Sequence, residues 1–188
     1  MTKTIVHRFP DAITVAENTA EKLLDKLVEL LANQAEVHLV LTGGTVGIAT
    51  LAAISANPNR GAVDFKRVHL WWGDERFVAA DSPDRNALQA KNALLKNLSL
   101  DQAKVHEFPA SDAGLDLDEA ASQFAAHVAQ VQPKFDVVLL GMGPDGHIGG
   151  PFYAVGGSPA AAHQTPGRRL VERSTKLTRA GVQTPEAS

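Results

Sequence analysis

Val37-His38-Leu39-Val40-Leu41 runs without a break into Thr42-Gly43-Gly44-Thr45, and the fold turns on how this stretch is read. The first five residues are nearly all apolar, as expected of a strand buried on both faces, which occurs in parallel sheets covered by helices. The turn then leads into a short helical run, Ile48 to Ile54, closed by the loop Asn57-Pro58-Asn59-Arg60-Gly61. The same alternation extends in both directions. Upstream, Thr4 to His7 is predicted as a strand. Pro10 and Asp11 then start a helix whose Ala16, Ala20, Leu23, Leu24, Leu27 and Leu31 recur every three or four residues, the spacing of one buried face. Downstream, Val68 to Trp72 is predicted as a strand ending in Gly73-Asp74-Glu75-Arg76. A helix over Asn86 to Leu95, a short strand over Val105 to Phe108 and a helix over Leu117 to Val131 follow, with Pro133 stopping the last. Phe135 to Leu140 is the most strand-like run of all and passes into Gly141-Met142-Gly143-Pro144-Asp145-Gly146-His147. Strands alternating with helices specify an α/β fold in three layers, a mostly parallel sheet flanked by helices.

Composition narrows the function classes. Of 188 residues, 44% are hydrophobic and 21% charged, an ordinary globular balance that excludes a fibrous or wholly disordered chain. There is no cysteine, hence no disulfide framework, thiolate metal site or cysteine nucleophile. A net charge of −3 offers no basic excess for a polyanion, so nucleic acid is not an expected partner. No apolar run approaches the ~18 residues of a membrane span, and the amino terminus lacks a signal-peptide pattern. The expectation is a cytoplasmic protein without a membrane partner.

The chain changes character near residue 149. Residues 149–188 carry Arg168, Arg169, Arg173, Lys176 and Arg179 against Glu172 and Glu186, with six glycines, four prolines and few large apolar groups. Such a segment buries little. The expected organisation is an α/β domain over 1–148 and a poorly ordered tail over 149–188.

Ligands of open parallel sheets bind beyond the carboxyl ends of the strands. Three polar, glycine-bearing clusters follow strands directly here, and all are expected on one rim. Thr42-Gly43-Gly44-Thr45 presents bare N–H groups and hydroxyls at a helix N-terminus, a natural phosphate site, or else a tight turn with a Thr cap. Gly73-Asp74-Glu75-Arg76 offers a guanidinium for an oxyanion or carboxylate, or else a surface ion pair. Asp145-Gly146-His147 offers an imidazole base supported by a carboxylate, or else a solvent-facing histidine.

Two further patterns are set aside. Gly141-x-Gly143-x-x-Gly146 matches a dinucleotide fingerprint, but Gly149-Gly150-Pro151 forbids the helix that motif must open. Asp74, Glu75, Asp145 and His147 are ligand types without a ligand spacing, so no metal is expected. Trp71 and Trp72 are read as packing, and His7, His69, His106, His127 and His163 have no partner motif.

Leu41-Thr42-Gly43-Gly44-Thr45, Trp72-Gly73-Asp74-Glu75-Arg76-Phe77-Val78, Asp84-Arg85-Asn86 and Gly141-Met142-Gly143-Pro144-Asp145-Gly146-His147-Ile148, in this order, resemble the 6-phosphogluconolactonase family. The resemblance covers about residues 4 to 148. The last motif is shared with glucosamine-6-phosphate deaminases, which tend to have Met-Asp-Glu-Tyr where this chain has Gly-Asp-Glu-Arg. The resemblance implies a deaminase/isomerase-like, Rossmann-like topology, no cofactor, and hydrolysis of a phosphosugar lactone in the pentose phosphate pathway. It makes His147 the base, Asp145 its support and Arg76 the oxyanion or substrate contact. Thr42, Gly43, Gly44, Thr45 and Asp74 would bind the substrate and its phosphate. The alternatives are a glucosamine-6-phosphate deaminase or isomerase and an inactive sugar-phosphate-binding remnant.

Two departures stand out. The family pattern Ser-Gly-Gly-Ser-Thr-Pro is Thr42-Gly43-Gly44-Thr45-Val46-Gly47 here, and the family's Ala-Ser-Leu-Phe-Pro-Gly after the histidine is absent. The expectation is an incomplete C-terminal part, from a shifted reading frame or a truncated gene, which the nucleotide sequence around codon 148 would test. The oligomeric state is left open.

Overall fold

A computed structural model of the chain describes residues 4–143 together with Ile148. Pro144 to His147 and residues 149–188 lie outside the described residues. The base assigned to His147, its support Asp145 and the expectations for the tail therefore fall outside them too.

The first helix, α1 (Ala12–Asn33), starts where Asp11 accepts hydrogen bonds from the Thr14 N–H at 2.8 Å and the Thr14 hydroxyl at 2.9 Å. Its buried stripe is Ala16, Ala20, Leu23, Leu24, Leu27 and Leu31, as the spacing predicts. Strand β1 (Val37–Leu41) leads into α2 (Gly44–Ala56), β2 (Val68–Trp72), α3 (Asn86–Ala93), β3 (Val105–His106), α4 (Leu117–Val131) and β4 (Val137–Val138). Every strand pairing is parallel, in the order β3-β2-β1-β4. The register runs from Val37 opposite Val68 to Leu41 opposite Trp72, with Leu39 opposite Val137 and Leu70 opposite Val105.

That order has a functional consequence. The chain moves from β1 outward to β2 and β3, then returns through α4 to place β4 on the other side of β1. Helix α2 packs against α1 and α3, and α4 meets the sheet through Phe124 and His127 against Trp71. The right-handed crossover rule for parallel strands places these two groups on opposite faces, which gives three layers. The direction of winding reverses between β1 and β4, the switch point where ligands of such sheets bind.

The centre of the sheet carries the core. Val37, Leu39, Val40, Leu41, Val68, Leu70, Trp71 and Trp72 are each at most 3% exposed. At about 1.5–3 kcal/mol for each large side chain buried, β1 and β2 dominate the packing. Helix α4 starts at a reciprocal capping box formed by Asp116 and Glu119.

Several expectations need correction. Thr4 to His7 is not a strand: Ile5 and Val6 are 62% and 68% exposed and join no ladder. Their β-branched shape suits a strand, but among the described residues the run meets no partner edge and no covering face. Helix α2 begins at Gly44 rather than Ile48, because low glycine propensity hides a first turn that tertiary contacts stabilise. The ladder of β4 is only Val137–Val138, flanked by bonds from the Asp136 and Leu139 N–H groups to the carbonyls of His38 and Val40. Residues 135–139 are half-buried, so the most apolar run in the chain forms a short, partly covered strand.

The histidines read as having no partner motif include three that partner one another. His69 Nδ1 lies 2.9 Å from His106 Nε2, and His106 Nδ1 lies 2.8 Å from His127 Nε2. Glu36 ends the row at 3.1 Å from His69 Nε2 and also pairs with Lys104 at 2.7 Å. His38 stacks on His69 and accepts from the Trp71 indole N–H at 3.1 Å. The spacing hid them because His38, His69 and His106 sit on neighbouring strands and His127 on the helix above.

Candidate functional site

The carboxyl ends of β1, β2 and β4 carry the three clusters singled out from sequence, and the described parts of all three converge. Where β1 ends, Gly43 precedes α2 with an extended backbone and no side-chain cap, so the first turn of α2 is not capped by a Thr hydroxyl. Gly44 has φ +78°, the left-handed region that favours glycine, and an added Cβ there would meet nothing within 4 Å. Gly44 and Thr45 are exposed, while Thr42 is half-buried. This is a helix start with main-chain donors facing outward, suited to an anion.

Gly141, just after β4, passes beside this turn. A Cβ on Gly141 would stand 3.5 Å from Thr42 Oγ1 and 3.9 Å from the Gly43 carbonyl oxygen. Met142 then bridges to Ile148 in antiparallel fashion. Gly73, the first residue after β2, donates its N–H to the Leu41 carbonyl at 3.0 Å, which ties the second cluster to the end of β1.

Within Gly73-Asp74-Glu75-Arg76 the residues divide by direction. Glu75 turns inward and is 3% exposed, Asp74 is half-buried and Arg76 is exposed. The Glu75 carboxylate accepts the N–H groups of Arg76 at 2.8 Å, Asn86 at 2.7 Å and Ala87 at 2.9 Å. Asn86 and Ala87 open α3, so the carboxylate sits on a helix N-terminus, where negative charge is favoured. Burial pushes the Glu75 carboxyl above its usual range, against the pull of these three N–H groups and the Arg85 charge. Arg76 does not pair with Glu75 through its guanidinium. Its Nη1 donates instead to the Asp84 carbonyl at 2.6 Å. The partner of Glu75 is the buried Arg85, with Nε at 3.9 Å; Arg85 also donates to the Phe108 carbonyl.

The structure thus brings together Thr42, Gly43, Gly44, Thr45, Asp74 and Arg76. Sequence reasoning missed Glu75, Arg85 and Asn86 as the groups that hold them. The available signal was Asp84-Arg85-Asn86, which forms part of the family resemblance and then had no role. Among the described residues, no group of three or more histidine, aspartate or glutamate side chains is arranged to hold a metal ion. No helix among them is long and apolar enough to cross a membrane. A cleft of about 520 Å³ lies elsewhere, between β3 and α4, lined by His106, Glu107 and His127 among others and by none of the residues in the clusters.

Comparison with known proteins places this geometry. A family described as glucosamine-6-phosphate isomerases/6-phosphogluconolactonase matches residues 10–171, past the compositional boundary near 149. A 6-phosphogluconolactonase of Streptomyces coelicolor is 42% identical over 158 residues, covering 79% of this chain and 60% of the relative. One from Mycobacterium tuberculosis is 39% identical over 152 residues, covering 77% and 61%. The chain spans about three fifths of the length of these curated relatives. Among solved structures, the 6-phosphogluconolactonase of Thermotoga maritima superposes with a TM-score of 0.68 at 25% identity, over 78% of this chain and 63% of that one. A monomeric glucosamine-6-phosphate deaminase has a TM-score of 0.66 at 16% identity, over 90% and 78%, a likeness of fold alone.

Proposed function

Because this chain belongs to the glucosamine-6-phosphate isomerase/6-phosphogluconolactonase family, we propose that it hydrolyses 6-phospho-D-glucono-1,5-lactone to 6-phospho-D-gluconate in the pentose phosphate pathway. The observation that carries the reading is the convergence of the Thr42–Thr45 turn, beside the sheet's switch point, with the Arg76 loop after the neighbouring β2. A cytoplasmic setting is part of the same proposal.

In this reading the N–H groups that open α2, with the Thr45 hydroxyl, hold the phosphate. Arg76 reaches the lactone carbonyl or the oxyanion that forms from it, with Asp74 beside the ring. His147, supported by Asp145, takes a proton from water as the water oxygen attacks the carbonyl carbon. Collapse of the tetrahedral oxyanion breaks the bond to the ring oxygen, which takes the proton back and leaves as a hydroxyl. The roles of His147 and Asp145 are carried over from the family motif.

The test is lactone hydrolysis by the purified protein, corrected for spontaneous opening, beside His147→Ala. Turnover above buffer that His147→Ala abolishes is the expected result. Wild-type rates equal to buffer overturn the proposal. Ammonia release from glucosamine 6-phosphate instead would make the chain a deaminase, and 6-phosphogluconate binding without turnover would make it a binding remnant.

A further inference from the structure

The side-chain amide of Asn86 lies where the two phosphosugar-facing segments come closest. Its Nδ2 donates to the Asp74 carbonyl at 3.0 Å. A Cβ built on Gly43 would fall 2.0 Å from Asn86 Oδ1, 2.5 Å from Cγ and 2.8 Å from Nδ2, so the amide lies against the Gly43 Cα. The backbone of Gly43 has φ −82°, which any residue adopts. Glycine is therefore required at 43 by the amide, whereas at 44 it is required by the backbone. The Gly-Gly pair has two separate jobs.

The amide is itself anchored. Asn86 is 3% exposed, and its N–H and that of Ala87 bind the two oxygens of Glu75. The same carboxylate holds the Arg76 N–H. Asp74 is thus held by the Asn86 side chain and Arg76 by the carboxylate that holds the Asn86 main chain. From the other flank, Ser111 N–H donates to the Val78 carbonyl at 2.9 Å and Ala80 N–H to Asp112 at 3.1 Å. The end of β1, the end of β2 and the start of α3 form a closed ring around one amide.

We propose that Asn86 is a positioning residue that sets the distance between the Gly43–Thr45 turn and the Asp74–Arg76 loop. This rests on the lactonase reading, in which the turn holds the phosphate and the loop meets the carbonyl at the other end of one substrate. A phosphate bound correctly with Arg76 displaced leaves substrate held but poorly aligned, and a misplacement of ~1 Å can lower a rate about 10²-fold. An aspartate cannot substitute, since an ionised carboxylate of the same shape would face the Asp74 carbonyl with no proton to donate.

The experiment compares Asn86→Ala, Asn86→Asp and Gly43→Ala, the last of which evicts the amide without touching residue 86. The expected result is a fall in kcat of about 10²-fold with KM moved far less. The two alanine substitutions should share the same kcat-against-KM split. Gly43→Ala/Asn86→Ala should be no worse than either single change, since both remove one arrangement. A kcat within twofold of wild type, or losses that multiply in the double variant, would overturn the inference. If wild type shows no turnover, the lactonase reading fails by itself. The inference is then decided in the free protein by amide hydrogen exchange. Asn86→Ala must speed exchange at both Gly43–Thr45 and Arg76, and unchanged exchange at either segment overturns it.

Discussion

The two ends of the sheet use polar side chains in opposite ways. Toward the amino ends of β1 and β2, imidazoles bind each other. Glu36 Oε2 meets His69 Nε2, His69 Nδ1 meets His106 Nε2, and His106 Nδ1 meets His127 Nε2. Each contact joins one ring nitrogen to the next side chain, so the row is built from side chains alone. At the carboxyl ends, side chains instead bind main-chain groups of other loops, as Glu75, Asn86 and Arg76 do. The first arrangement pairs side chains with side chains, and two of its rings, His106 and His127, line the cleft beside α4. The second fixes the path of the chain and leaves Thr45 and Arg76 exposed to solvent. The difference separates a polar cluster that links side chains across the sheet from one that fixes main-chain loops, and the proposed function rests on the second.

The largest effect should come from breaking the carboxyl-end network at its anchor. Glu75→Ala leaves the buried Arg85 with only the exposed Glu107, at 3.8 Å, as a counter-charge and orphans three N–H groups, a loss of about 3–5 kcal/mol. Chemical denaturation should show the midpoint falling accordingly, and a change below ~1 kcal/mol would mean the buried pair is not structural. Next comes Arg76→Ala, which touches an exposed residue. It should lower kcat/KM by about 10²–10³-fold, as for loss of an oxyanion donor, while the melting temperature stays near that of wild type.

Acid should attack the opposite end. Burial first, then the charges of His127, His69 and His38, push His106 down to about 4. Burial also lowers His38, which faces His69, Asp136 and Glu36. A folded pKa below the unfolded value of 6.5 means the unfolded chain binds more protons, so stability is lost as pH falls from about 6.5 toward 4. Glu75, raised by burial, has the opposite sign, so the informative quantity is the difference between wild type and His106→Gln. The variant's unfolding free energy should vary less between pH 6.5 and 4, and equal slopes would remove His106 from the account. The smallest effect is Gly44→Ala, which meets no atom but forces a positive φ, at roughly 1–2 kcal/mol. A neutral result by thermal melting would show that the turn relaxes.

Local patterns made much of this legible. Asp11 and the leucines of α1, Asp116 and Glu119 of α4, and the apolar runs of β1 and β2 act within a few residues of one another. The glycine clusters after β1 and β2 are legible for the same reason, and the structure places them at the carboxyl ends of neighbouring strands. Failures occurred where the deciding partner is distant or missing. Among the described residues Thr4 to His7 meets no edge, and Phe135 to Leu140 pairs fully only at its centre. Glu75 is given no role by the sequence because nothing in Gly73-Asp74-Glu75-Arg76 says which of its acids turns inward.

Periodicity, caps and turn residues, read along the chain, were enough for the layered α/β architecture and for the turn at Thr42–Thr45, because each depends on contacts spanning a turn or two. Strand order could not be read that way. That β4 lies beside β1, that an amide at 86 presses on a glycine at 43, and that four histidines gather at one end of the sheet all followed from long-range packing. Residues far apart in the chain meet only after the sheet has closed, so the spacing of the site was set there.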